Sequence, residues 1–227
     1  MSSVAPSIIN SGLLLVVDIA SLKCYPATGA VLTTLTNKVS SGSLVNGPTY
    51  SPSNGGVITL DGTDDYILLN SVGLGNFINI THSTWFYPTG AGIIIDELGQ
   101  NALVGGWHDS QIEVSSGGVF SFGIWTGSGR SGIITSTKTL NNWYNLVITY
   151  NGTTMTAYVN GVNVGNVTTV RGAPPDLFYA VGPQDSTNMG NNLYATGKFS
   201  NFLVYNRALS AMEINDNFNA MKGRYGL

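Results

Sequence analysis

Three groups of side chains in this sequence are of types that bind ligands or move protons. Asp61, Asp64 and Asp65 crowd around Gly62. A calcium ion takes about six to eight oxygens, and three acids on one turn point in different directions. The pattern therefore reads first as turn chemistry, with Asp61-Gly62 making the turn and Asp65 hydrogen-bonded nearby, and second as a weak calcium site. Asp96 and Glu97 stand in the run I-I-I-D-E-L. Hydrolysis of a glycosidic bond needs two carboxyl groups flanking one bond. Adjacent residues on a strand face opposite ways, and no acid lies two or four positions from either, so no catalytic residue is assigned. The third group is Trp107-His108-Asp109, followed by Trp125 and by Arg130 in the loop T-G-S-G-R-S-G. An indole face beside small polar groups is what a sugar ring stacks on. Trp125 reads equally as a ring packed under its own loop or against a neighbouring chain. These five residues are the candidate contacts for a carbohydrate or a protein partner.

Other chemistries lack their parts. His82 and His108 are the only histidines, no Gly-x-Ser-x-Gly elbow accompanies them, and no glycine-rich loop leads into Lys-Ser or Lys-Thr. His82 reads as a satisfied or exposed strand histidine, because no second histidine lies at metal spacing.

The elements that must position these residues are strands. From Trp143 to Val167 the chain reads W-Y-N-L-V-I-T-Y-N-G-T-T-M-T-A-Y-V-N-G-V-N-V-G-N-V, three runs separated by Asn151-Gly152 and Asn160-Gly161. Asn-Gly supplies the positive φ angles of tight hairpin turns, so the stretch reads as a β-meander whose first turn is the longer. Leu146, Ile148 and Tyr150 alternate with Asn145, Val147 and Thr149, and period two predicts one buried face. Leu13 to Ile19 is apolar enough for a strand buried on both sides, with Asp18 as a hydrogen-bonded strand-end carboxylate. Tyr25 to Pro52 reads as loop with short edge strands. Strands are predicted at Asn79 to Tyr87, at Ile93 to Leu98, and at Val119 to Trp125, where Phe120, Phe122 and Ile124 form the core face. Leu177 to Val181 and Phe199 to Tyr205 follow. One helix is predicted. Ser210 caps it with Glu213 as capping-box partner, Leu209 and Ile214 form a hydrophobic staple, the apolar stripe is Ala211, Ile214, Phe218 and Met221, and Gly223 is the stop.

At 227 residues, the length suits one β-sandwich spanning 1–227. Charged residues make up only 9% of the chain and the net charge is -3, with the nine Lys and Arg scattered, which argues against a nucleic-acid partner. Cys24 is the single cysteine, so neither an intrachain disulfide nor a cysteine-based zinc site can form. The N-terminus lacks the basic start of a signal peptide, and Leu13 to Val17 is too short to span a membrane. Synthesis in a cytoplasm without membrane insertion is the expectation.

Three stretches resemble laminin-G-like and concanavalin A-like domains. These are the meander with its Tyr-Val-Asn-Gly at Tyr158 to Gly161, the run Leu60-Asp61-Gly62-Thr63-Asp64-Asp65-Tyr66-Ile67, and Phe199 to Ile214. Asn46-Gly47-Pro48-Thr49-Tyr50 fits the family's approach to the second of these. The resemblance implies an all-β, two-sheet antiparallel jelly-roll sandwich with a short C-terminal α-helix. Glycosidases of that family carry a pattern such as Glu-x-Asp-x-Glu, which is absent, so no enzyme is expected. Some members bind calcium at loop carboxylates; no cofactor is assigned here beyond that weak candidate. A sandwich of this kind without disulfides resembles structural proteins of tailed bacteriophages. The expectation drawn from that is a virion surface protein (head decoration, tail or fibre) that docks onto other virion proteins in an oligomeric assembly. Host-surface glycans are the alternative partner.

Overall fold

The computed structural model describes residues 7–32, 41–69, 77–103, 108–172, 176–184 and 193–227. Its strands are β1 (Leu13–Asp18), β2 (Val31–Leu32), β3 (Gly42–Val45), β4 (Thr49–Ser51), β5 (Val57–Asp61), β6 (Tyr66–Leu69), β7 (Ile80–Pro88) and β8 (Gly92–Leu98). They continue with β9 (His108–Val114), β10 (Val119–Trp125), β11 (Arg130–Thr137), β12 (Tyr144–Tyr150), β13 (Thr154–Val159), β14 (Val162–Thr168), β15 (Phe178–Val181) and β16 (Thr196–Tyr205). A helix, α1 (Ala211–Met221), closes the chain with a 3-10 turn over Lys222–Tyr225.

The strands form two antiparallel sheets. The first runs β14-β13-β12-β7-β16-β5-β4, with β1 also paired to β16, and the second runs β11-β10-β9-β8-β15-β6-β3-β2. Their facing sides enclose one core that includes Phe86, Leu146 and Ile148 from the first sheet and Ile112, Phe120 and Phe122 from the second. This is the two-sheet sandwich with one short C-terminal helix that the resemblance, added to the strand pattern, implies.

The meander forms as expected. Asn160 (φ 52°) and Gly161 (φ 77°) both take positive φ, the type I′ requirement. In the longer turn only Gly152 does (φ 98°), while Asn151 Oδ1 accepts from the Thr153 and Thr154 amides at 3.1 and 2.9 Å.

The expectation of one buried face on β12 needs correction, because every residue from Tyr144 to Tyr150 is buried. Val147 lies on the outer face, packed with Leu209 just before α1 and Ile214 within it, and with Ile8, Ile9 and Leu13 of the N-terminal segment. A second outer cluster stacks Trp85 on Tyr225, ring centroids 4.0 Å apart, with Trp143 and Val57.

Ser210 caps α1 in a complete capping box. The predicted stripe shifts, however: Ala211 is exposed, and buried Asn217 joins Ile214, donating to Tyr205 Oη (3.1 Å) and accepting from the Ile9 amide (2.8 Å). Nor is Gly223 the stop, because the chain passes through it in the 3-10 turn and ends that turn at Gly226 (φ 76°). Asp18 is the strand-end acceptor expected, taking the Ala20 amide (3.1 Å), and it also pairs with Arg224 at 2.6 Å.

Candidate functional site

Strands β9, β10 and β11 lie side by side at one end of the second sheet. Ile112, Val114, Phe120, Phe122, Ile124 and Ile134 face the core, which turns Glu113, Ser121, Gly123 and Thr135 to the outer face. Arg130 opens β11 opposite Trp125, and its side chain lies across that face over Gly123, where a Cβ would sit 2.8 Å from Arg130 Nε. The guanidinium donates to the Ser110 carbonyl, to Ser121 Oγ at 3.0 Å and to Ser121 O at 2.8 Å, and Nη1 stands 3.8 Å from Glu113 Oε2. Ser110 Oγ in turn donates to Glu113 Oε1. Burial pulls the Arg130 pKa down from the ordinary arginine value, while the charges of Glu113 and Asp109 hold it up.

The structure sets Arg130 into the outer layer of the sheet. Its side chain is only 7% exposed, because the sheet offers it acceptors and a groove that a Cβ at position 123 would close. It organises the surface and presents no free cation to a ligand.

Trp125 ends β10 half-buried. Its ring lies on Gly172, where a Cβ would meet Cε3 and Cζ3 at 2.3 Å, and its carbonyl accepts from the Gly172 amide at 2.8 Å. The turn beyond it is held by Thr126, whose amide and hydroxyl both donate to the Gly129 carbonyl (3.0 and 2.9 Å). Gly127 and Ser128 at the tip are exposed. Asp109 lies in β9, buried, with Gln111 donating to its carbonyl at 3.0 Å. His108 begins β9 opposite Leu98. Trp107 falls outside the described residues, as does the side chain of His108. Asp109, Trp125 and Arg130 thus come together on three neighbouring strands.

Asp61, Asp64 and Asp65 present carboxylate oxygens within 4.8 Å of one another. Asp61 accepts the Thr63 amide at 2.7 Å, which lowers its pKa, and Asp65 Oδ2 accepts the Asp61 amide at 3.2 Å. Burial, with the charges of Asp61 and Asp64 adding, raises the Asp65 pKa. These are the turn and hydrogen-bonding roles that the first reading assigns them.

Sequence reasoning missed a polar network inside the sandwich. Glu97 reaches between the sheets, where Arg171 Nη2 contacts both its oxygens at 2.8 and 2.9 Å. Tyr179 donates to Glu97 Oε2 (3.3 Å), and His82 Nε2 lies 2.9 Å from the Tyr179 hydroxyl. All four residues are buried. Burial, with the charge of Arg171, pushes the His82 pKa well below its usual value, and burial pushes that of Tyr179 well up. One signal was available: two acids, Asp96 and Glu97, set in an apolar run of strand length must find partners if that run is buried.

A sequence profile of the concanavalin A-like lectin/glucanases superfamily matches residues 61–215. No curated protein matches the chain. Among solved structures, the chain resembles Trypanosoma rangeli sialidase in complex with sialic acid at TM-score 0.67 and 15% identity, covering 98% of this chain and 36% of that one. Domain 4 of AbnA, an extracellular arabinanase from Geobacillus stearothermophilus, in complex with arabinotriose, aligns at TM-score 0.61 and 13% identity over 92% of this chain and 99% of that one. The receptor-binding domain of botulinum neurotoxin type G aligns at TM-score 0.65 and 12% identity, covering 92% and 51%. At such identities the likeness is one of fold, and the chain spans about a third of the sialidase's length.

Proposed function

The chain belongs to the concanavalin A-like lectin/glucanases superfamily, and on that premise we propose that it is a non-catalytic module that recognises neutral glycans. The observation that carries this reading is the half-buried indole of Trp125 at the edge of a sheet face rich in hydroxyl groups. Ser121, Thr126, Ser128 and Thr135 supply groups that orient a sugar stacked on an aromatic ring. The ligand is neutral because Arg130, the cation on this face, already spends its donors on Ser110, Ser121 and Glu113, leaving no ready partner for a sugar carboxylate. An arabinanase domain of the same fold, solved with arabinotriose, supports a carbohydrate ligand in general. The non-catalytic reading draws on the carboxylates: Glu97 is clamped by Arg171 and Glu113 is held by Arg130 and Ser110.

A second reading makes the chain a surface component of a tailed-bacteriophage particle docked onto other virion proteins. It is favoured by exposed Ile133, Val162 and Val170, which lie on or just after the edge strands β11 and β14 and offer apolar contacts to a neighbour.

Trp125→Ala separates the two. The variant is expected to unfold close to the parent, losing less than the roughly 3 to 5 kcal/mol of a truncated core tryptophan, and to lose its signal on an array of neutral oligosaccharides that includes arabinotriose. A folded variant with undiminished array binding sinks the glycan reading. Loss of particle incorporation alone favours the second.

A further inference from the structure

The Glu97–Arg171 pair lies fully buried inside the sandwich. Removing two charges from water costs several kcal/mol per ion, and apolar side chains of similar size would serve stability as well. A role beyond stability is therefore to be looked for in what the pair holds. Arg171 lies three residues beyond β14. Its guanidinium is fixed at both ends, by Glu97 and by the Phe77 carbonyl (2.8 Å), and its amide donates to Tyr150 Oη (3.2 Å), which donates to Thr169 O (3.0 Å). The next residue, Gly172, is the floor under the Trp125 ring and the donor to its carbonyl.

We propose that Arg171, anchored in the core by Glu97, is a positioning residue for the Trp125 face: it fixes the depth of Gly172 and so the height and tilt of the indole. Tyr179 and His82 complete the anchor by fixing the carboxylate that Arg171 grips. This inference rests on Trp125 being the glycan contact, but its structural part can be read without a glycan.

The test replaces both charges, Glu97→Met with Arg171→Met, so that neither is left buried alone. The protein is labelled with 5-fluorotryptophan, and the Trp125 fluorine resonance is assigned by its loss in Trp125→Phe. The expected result is a cooperatively folded variant in which the Trp125 resonance shifts or broadens while those of Trp85 and Trp143 stay in place. Gly172→Ala, which leaves the ion pair intact but pushes into the ring, should move the same resonance. Arabinotriose, or the strongest neutral oligosaccharide on the array, should bind both variants roughly three- to tenfold more weakly, the worth of one aromatic contact. An unmoved Trp125 resonance in the folded double variant overturns the inference. If the double variant does not fold, Glu97→Gln is read by the same resonance against the same criterion. Failure of the parent to bind any neutral oligosaccharide removes the glycan reading, whereas a shifted Trp125 resonance would still uphold the positioning role.

Discussion

Mild acidification, from pH 6.5 to pH 5, should destabilise this protein through His82. Its ring is fully buried between Tyr179 and Phe202, Nε2 is engaged with the Tyr179 hydroxyl, and Nδ1 has no hydrogen-bond partner among the described residues. Protonation would place a hydrogen on Nδ1 where no acceptor waits, beside the Arg171 charge, and burial and that charge together hold the folded pKa well below 6.5. The unfolded chain protonates near 6.5. Between the two pKa values the unfolded state binds the extra proton, so the stability present above pH 6.5 is lost as pH falls towards the folded pKa. One proton is worth about 1.4 kcal/mol per pH unit. From pH 6.5 to pH 5 the loss is therefore at most about 2 kcal/mol. The measurement is urea unfolding from pH 5 to pH 7.5, in a His108→Gln background that removes the other histidine. His82→Gln keeps a polar group near Tyr179 but cannot titrate, and its stability should be flatter over this range. If His82→Gln retains the parent's slope, or if the His82 ring titrates near 6.5 in the folded protein by NMR, the reasoning fails.

Other changes act through equally local causes. Ser210→Ala removes the acceptor for the Glu213 amide and the hydroxyl half of the capping box, and should lower stability by about 0.5 to 2 kcal/mol in urea unfolding; an unchanged midpoint would refute the cap's contribution. Glu97→Ala strands Arg171 in the core and should cost about 3 to 5 kcal/mol, a loss that a midpoint within error of the parent would contradict. Incubation with a panel of polysaccharides should release no reducing ends, and turnover abolished by Glu97→Gln would overturn the non-catalytic reading.

Features that depend on near neighbours in the chain are legible in the residues themselves. Asn160 and Gly161 set their hairpin because positive φ is a property of those two residues in that order. Ser210 and Glu213 start the helix because cap and partner lie within one turn. Alternation along β10 placed Phe120, Phe122 and Ile124 in the core, since period two is enforced by the pleat. What the fold decided involves partners that no local rule relates. Val147 lies on the outer face, yet it is buried because Leu209 and Ile214 return over that sheet. Arg130 stands in a glycine-rich stretch that reads as an exposed loop. Only the register that sets β9 and β10 beside it brings Ser110, Ser121 and Glu113 within reach. Glu97 and Arg171 are 74 positions apart. A charge in a buried run needs a partner, but which distant arginine supplies it is settled only when the two sheets close and bring the Arg171 guanidinium within reach of the carboxylate.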